Sequence, residues 1–222
     1  MKKLLIVFAM LLFVGCFSKE EAKDFWDVTE DSKAFKAEYE KDNNEVYSNG
    51  MEYIVLDIPE ANPFVYVDYD ETIELIENGT GILFLSRPGC PFCRSTMDAT
   101  IEFAEKNKIE KIFYYNPEEI RTANNDDYRY LMSLLDEYLP IDKVTQHEED
   151  PHFDENLKRI VVPHLFFIYE GEVVYQYQEG RSEFMTELSK EQIDEIISTY
   201  ETGYLKLKNA DPICSDSKPE EC

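Results

Sequence analysis

Basic residues are scarce in this chain: 22 Lys and Arg stand against 47 Asp and Glu, a formal charge of −25 over 222 residues. No cationic cluster offsets that field, so a nucleic-acid partner is excluded, because phosphate would be repelled. Long apolar runs are scarce too. The one unbroken run, Leu4 to Val14, has eleven residues, whereas a hydrocarbon core takes about 20, so no ordinary transmembrane helix is predicted. Cysteine is limited to five residues, and only Cys90 and Cys93 form a close pair. A zinc site needs two more ligands, and no second C-x-x-C or C-x-x-H accompanies that pair. His147, His152, His164 and the tail cysteines are scattered, and no metal site is assigned. No internal repeat is visible.

What the N-terminus does hold is a targeting pattern, with Lys2 and Lys3 ahead of the apolar run and Gly15-Cys16 at its end. The segment Phe13-Val14-Gly15-Cys16 resembles the bacterial lipoprotein signal-peptide motif. That resemblance implies removal of residues 1–15, diacylglycerol on the Cys16 thiol, and a membrane-anchored protein on the extracytoplasmic side. The alternative is a plain secretory peptide with Cys16 left as an ordinary thiol. Either way 207 residues remain, carrying a charge of −27 because the removed piece holds two lysines and no acid. That length suits one domain with a substantial core.

Residues 16–45 read as an acidic tether leading into a loosely attached helix around Ala22 to Lys41. A domain spanning 46–205 follows. Tyr53 to Leu56 and Phe64 to Val67 are predicted as short strands, and Asp70 to Asn78 as a helix stopped at Gly79. Gly81 to Leu85 has the length of a buried strand. Beyond the break at Gly89-Cys90-Pro91, residues Cys93, Met97, Ile101 and Ala104 recur at helical steps. Lys111 to Tyr115 reads as a strand and Tyr128 to Leu139 as a helix, within an insertion at about 117–160 whose Asp142 to Glu155 stretch is an acidic loop. Val161 to Tyr169 and Glu172 to Tyr177 form a hairpin turned at Glu170-Gly171. Ser189 with Gln192 forms a capping box that opens a last helix with Ile193, Ile196, Ile197 and Tyr200 on its buried face. Residues 206–222 read as an irregular tail. Alternating strands and helices make the fold class α/β.

Chemistry concentrates at Cys90-Pro91-Phe92-Cys93. Two thiols three apart at a helix start can close a small disulfide ring, and the unpaired amide hydrogens of the first turn favour an anion at the first sulfur. Cys90 is therefore read as the attacking, exposed thiolate. Cys93 is read as the inward thiol that resolves a mixed disulfide. Pro91 suits the first helical turn, where no amide hydrogen is missed. Arg87 and Arg94 flank the pair, either adding to thiolate stabilisation or lying on the surface with little effect. No cofactor is called for.

The stretch Arg87-Pro88-Gly89-Cys90-Pro91-Phe92-Cys93-Arg94 resembles the active-site turn of the thioredoxin superfamily, in particular of glutaredoxin-like and bacteriocin transport accessory-like proteins. Val162-Pro163-His164-Leu165-Phe166-Phe167-Ile168-Tyr169-Glu170-Gly171-Glu172-Val173 is similar to that superfamily's cis-proline strand, turn and following strand. The resemblance covers about Gly81 to Tyr200. It implies a thioredoxin-like fold with an N-terminal extension and a central helical insertion, a redox pair at Cys90 and Cys93, and a cis peptide between Val162 and Pro163 facing the sulfurs. It further implies a thiol-disulfide oxidoreductase whose partners are cysteine-containing exported proteins and a redox partner. The alternative on the same fold is a client-binding accessory protein or chaperone of an export system. Thioredoxins proper carry a buried aspartate six positions before the first cysteine, where this chain has Phe84.

Three weaker signals complete the reading. The acids and histidines from His147 to Glu155 suit a solvated loop better than a metal site. His164 is read as a hydrogen-bonded structural histidine beside Pro163. Cys214 and Cys222 are the natural pair for a tail disulfide in an exported chain.

Overall fold

A computed structural model describes residues 25–141, 154–181 and 185–211. The expectations for Cys16 and the signal segment, for His147 and His152, and for the Cys214–Cys222 disulfide lie outside them. The chain is a mixed α/β structure: a five-stranded sheet with helices on both faces.

Helix α1 (Glu30–Glu40) starts where Thr29 and Ser32 form a reciprocal capping box, well inside the span that composition suggested. It is not loosely attached. Phe35 and Tyr39 are fully buried, and the Phe35 ring stacks on Phe64 at 3.8 Å, so the N-terminal segment belongs to the core. The strands are β1 (Phe64–Tyr66), β2 (Gly81–Leu85), β3 (Ile112–Tyr115), β4 (His164–Tyr169) and β5 (Glu172–Gln178), in spatial order β1-β3-β2-β4-β5. β1 and β2 flank β3 in parallel, while β4 runs antiparallel to both β2 and β5.

Alternation along the central strands builds two cores. Ile82, Phe84, Leu165 and Phe167 face α1, α4 (Met97–Lys106) and α7 (Lys190–Ala210). Leu83, Leu85, Phe166 and Ile168 face α2 (Tyr69–Asn78) and α6 (Asp126–Leu134). Burial on both faces explains why β2 and β4 read as continuous apolar runs. The hairpin turn falls at Glu170-Gly171, both residues having positive φ. A Cβ on Gly171 would lie 2.1 Å from the Glu77 carbonyl oxygen, so glycine is required there.

Four expectations are corrected. Tyr53 to Leu56 is not a strand, because side chains satisfy its backbone: Asn43 bonds both the N–H and the C=O of Leu56, and Arg94 donates to the Ile54 carbonyl. The helix carrying Cys93 is broken at Thr96 into α3 (Pro91–Ser95) and α4, where the Ser95 and Thr96 hydroxyls both donate to the Phe92 carbonyl and compete with the helical ladder. The inserted region holds an additional short helix, α5 (Glu118–Ala123), before α6 and a 3₁₀ turn at Asp136–Tyr138. The last helix continues to Ala210, four residues past the expected start of the irregular tail.

Candidate functional site

β2 delivers the chain from the sheet interior to the turn Arg87-Pro88-Gly89, and Cys90 is the N-cap of α3, extended at φ −95° and ψ 124°, with Pro91 at the first helical position. Cys93 follows one turn later. Both cysteines are free thiols. Cys93 is fully buried, and Cys90 is 5% exposed, which corrects the expectation of an open sulfur. Cys90 instead borders a groove of about 430 Å³ whose walls include Pro91, Phe92, Val161 and Val162. The peptide between Val162 and Pro163 is cis, and the Cys90 thiol donates to the Val162 carbonyl at 3.4 Å across 72 positions of sequence. That bond belongs to the neutral thiol and is lost on ionisation.

The two sulfurs are driven in opposite directions. A hydrogen bond from the Cys93 thiol is the leading cause that lowers the Cys90 pKa from 9.0 to about 7. Burial opposes it, and the amide hydrogens of Cys93 and Phe92 and the charge of Arg87 assist. Burial raises the Cys93 pKa, and the neighbouring Cys90 sulfur raises it further. One thiolate at Cys90, hydrogen-bonded by a protonated Cys93, is the favoured ionisation state of the pair.

The flanking arginines divide. Arg87 stays beside the pair, ion-paired with Glu118. Arg94 turns away: its side chain is 1% exposed and donates to the carbonyls of Tyr39 (2.6 Å), Ile54 (2.9 Å) and Pro88 (3.4 Å) and to Asn43 Oδ1 (2.6 Å). It is neither a surface arginine nor a partner of the sulfurs but the tie between α3 and the N-terminal segment.

Phe84 is fully buried in the apolar core, so no carboxylate occupies its place. The polar group near Cys93 is Ser86, whose hydroxyl partly offsets the rise of the Cys93 pKa and sits 2.6 Å from the Tyr39 hydroxyl. Neither Ser86 nor Tyr39 was singled out from sequence. The available signal was a lone hydroxyl directly after an all-apolar strand. Burial keeps Tyr39 protonated by raising its pKa, so this pair acts as neutral hydrogen-bonding groups.

His164 is fully buried opposite Leu85. Its Nε2 lies 2.7 Å from Gln176 Oε1 and its ring stacks on Phe166 at 4.0 Å, a hydrogen-bonded histidine of the sheet. Burial depresses its pKa from 6.5 to about 4, partly offset by Gln176. The unfolded chain therefore takes up this proton at a higher pH than the folded one, and the associated stability, full above about pH 6.5, is lost as pH falls toward 4. Between pH 7 and pH 5 the wild type should lose about 2 kcal/mol relative to His164→Gln. Urea unfolding of both proteins across that range measures the difference, and parallel pH curves would contradict it.

Among the described residues, no group of three His, Cys, Asp or Glu side chains is placed to hold a metal, and no helix is long and apolar enough to cross a membrane. A cavity of about 910 Å³, larger than the groove at Cys90, lies between α2, the 3₁₀ turn and the β4–β5 hairpin. It is lined by Glu77, Asp136, Glu137, Glu170 and Glu172 and contains no thiol, so its size does not make it the chemical site. Comparison of the chain with protein-family models, with curated proteins and with solved structures finds no match to any of them.

Proposed function

We propose that this protein is an extracytoplasmic thiol-disulfide oxidoreductase with a thioredoxin-like fold, anchored through Cys16 and acting on cysteines of exported proteins. The observation that carries the reading is the pair of free thiols one helical turn apart with opposed pKa shifts, the lowered one bordering a groove and the raised one sealed behind it. The strand–turn–helix order and the cis Val162–Pro163 peptide against Cys90 support it.

The exchange proceeds in two balanced steps. The Cys90 thiolate attacks one sulfur of a client disulfide, forming the mixed disulfide and expelling the other client sulfur as a thiolate, which takes up a proton. Cys93 then loses its proton and attacks Cys90, forming the Cys90–Cys93 disulfide and releasing the second client thiolate. The client gains two electrons and the pair loses two. The reverse sequence oxidises a client dithiol, and the reduction potential relative to the redox partner sets which direction runs. Ser86, which favours the ionised form of Cys93, steadies that sulfur as its proton leaves.

The test is the pH dependence of alkylation in the reduced protein, followed residue by residue by mass spectrometry. Cys90 should react with an inflection near pH 7, and Cys93 should lag throughout. Equal rates at both sulfurs, or a Cys90 inflection near 9, would overturn the assignment of roles.

A further inference from the structure

The second step of exchange asks a fully buried thiol to ionise, and burial holds the Cys93 proton in place. A buried thiolate is tolerable only where donors replace the water it has lost. Phe84, on the sheet face toward α1, supplies none. Two residues further on, Ser86 donates its N–H to the Tyr115 carbonyl at 3.2 Å, which pins it where β2 ends. Its side chain is fully buried, and its hydroxyl acts on Cys93 against the effect of burial.

Tyr39 of α1 meets this serine from the other side. The two hydroxyl oxygens are 2.6 Å apart, and both residues are fully buried. Tyr39 is also held elsewhere: its ring stacks on Phe35 at 4.5 Å, and its carbonyl accepts from Arg94 at 2.6 Å. Because Arg94 follows Cys93 in α3, that bond fixes the tyrosine relative to the helix that carries the thiol. A phenol is a stronger acid than an aliphatic alcohol and its oxygen a poorer acceptor, so the favoured arrangement has Tyr39 donating to Ser86 Oγ. The serine hydrogen is then free for the sulfur, and a hydroxyl that itself accepts a hydrogen bond is the better donor.

We propose that Tyr39, acting through Ser86, is a positioning residue for the resolving step, so that helix α1 completes the thiol site with a pair of neutral hydroxyls. The inference rests on the exchange reading and deepens it by giving the second step a group from the N-terminal segment. While Cys90 is the thiolate, Cys93 donates to it. Once Cys90 is tied up in the mixed disulfide, that acceptor is gone, and the thiolate formed as Cys93 ionises takes its hydrogen bond from Ser86, backed by Tyr39. Cys93 then attacks Cys90. The Cys90–Cys93 bond forms, the bond from Cys90 to the client breaks with its electron pair on the client sulfur, and that sulfur takes up a proton to balance the one Cys93 gave up. Neither hydroxyl changes its proton count. Tyr47, Tyr114 and Tyr200 also sense Cys93, and burial raises the pKa of each, so they stay neutral as well. The Glu38 carboxylate on α1 raises Tyr39 and Tyr114 further.

The experiment compares Tyr39→Phe, Ser86→Ala and the double variant with the wild type. In a Cys90→Ala background, alkylation of Cys93 is followed across pH by mass spectrometry. Its inflection should move up, with the rate below the inflection falling about threefold in Tyr39→Phe and about tenfold in Ser86→Ala. With both cysteines present, acid-quenched single-turnover exchange on a disulfide-bonded peptide separates formation of the Cys90 mixed disulfide from its resolution. Resolution should slow by the same factors while formation changes by less than about twofold. The double variant should match Ser86→Ala, because Tyr39 has nothing to act through once the serine is gone. Tyr39→Phe keeps the ring and the carbonyl that Arg94 holds, so it decides the case alone if Ser86→Ala does not fold. An unmoved Cys93 inflection would overturn the proposal while leaving exchange intact. Equal slowing of both steps together with a lower Tm would make the pair structural, and a double variant whose loss is the product of the single losses would uncouple Tyr39 from Ser86; either overturns it. An inflection that moves while the wild type carries out no exchange would keep the hold of the pair on Cys93 and remove the oxidoreductase reading instead.

Discussion

Cys90→Ser should bring disulfide exchange down to the uncatalysed rate, a loss of at least about a thousandfold, because a hydroxyl can form no disulfide and stays protonated near neutral pH. The two Cys93 variants should separate from it and from each other. The Cys93 thiol is the leading contributor that lowers the Cys90 pKa to about 7. Cys93→Ala removes that donor, so the alkylation inflection of Cys90 should move up toward its ordinary 9.0, and less thiolate is present at pH 7. Cys93→Ser keeps a hydroxyl in the donor's place, so Cys90 should stay reactive and accumulate as a mixed disulfide with its client, since nothing remains to displace it. Non-reducing electrophoresis after acid quenching counts the trapped species. A Cys93→Ser protein that turns over at the wild-type rate would show that Cys93 does not resolve the intermediate, and the two-cysteine mechanism would fall.

The largest effect on stability should come from Arg94, a residue that sequence reading placed beside the thiols. Its guanidinium is buried and donates to three backbone carbonyls and to Asn43, and among the described residues no carboxylate hydrogen-bonds to it. Arg94→Leu leaves the carbonyls of Tyr39 and Ile54 without that donor, and each buried acceptor so abandoned costs about 1–3 kcal/mol. A total loss of about 3–5 kcal/mol is expected, or roughly 10 °C in Tm for a domain of this size. Lysine should not rescue it, since a single ammonium cannot span acceptors arranged for a planar fork. Arg87→Leu is the control. Arg87 is partly exposed and paired with Glu118, so its loss should cost at most about 1 kcal/mol while raising the Cys90 pKa. Thermal and urea unfolding of the three variants decide it: an Arg94→Leu protein as stable as the Arg87 control would mean that the N-terminal segment is not held through this side chain.

Both outcomes bear on how far the sequence could be read. Local signals survived into the structure where a few neighbouring residues determine them. The apolar run Gly81 to Leu85 is β2, the capping box Ser189–Gln192 opens α7, and Glu170-Gly171 makes the hairpin turn. Pro91 at the first helical position likewise follows from its missing amide hydrogen. Tyr53 to Leu56 misled because β-branched and aromatic composition measures fitness for a half-buried surface, not the presence of a partner strand. Here Asn43 and Arg94 side chains supplied the partners. The break at Thr96 was hidden because the apolar periodicity of Cys93, Met97, Ile101 and Ala104 continues across it, while the hydroxyls of Ser95 and Thr96 redirect the backbone bonds.

By itself, then, the amino-acid order determined the two thiols at a helix start, the elements that present them, the apolar stripes that sort helices from strands, and the acidic composition. Tertiary structure alone decided what those thiols meet. Ser86 and Tyr39 are 47 positions apart, Arg94 and Tyr39 are 55 apart, and Cys90 reaches the Val162 carbonyl across 72. Such contacts leave no periodic trace, because each depends on where whole elements pack and not on the propensities of neighbours. The same holds for charge: composition records a chain of −25, but only folding gathers Arg87, Arg121, Arg159 and Glu179 around one groove.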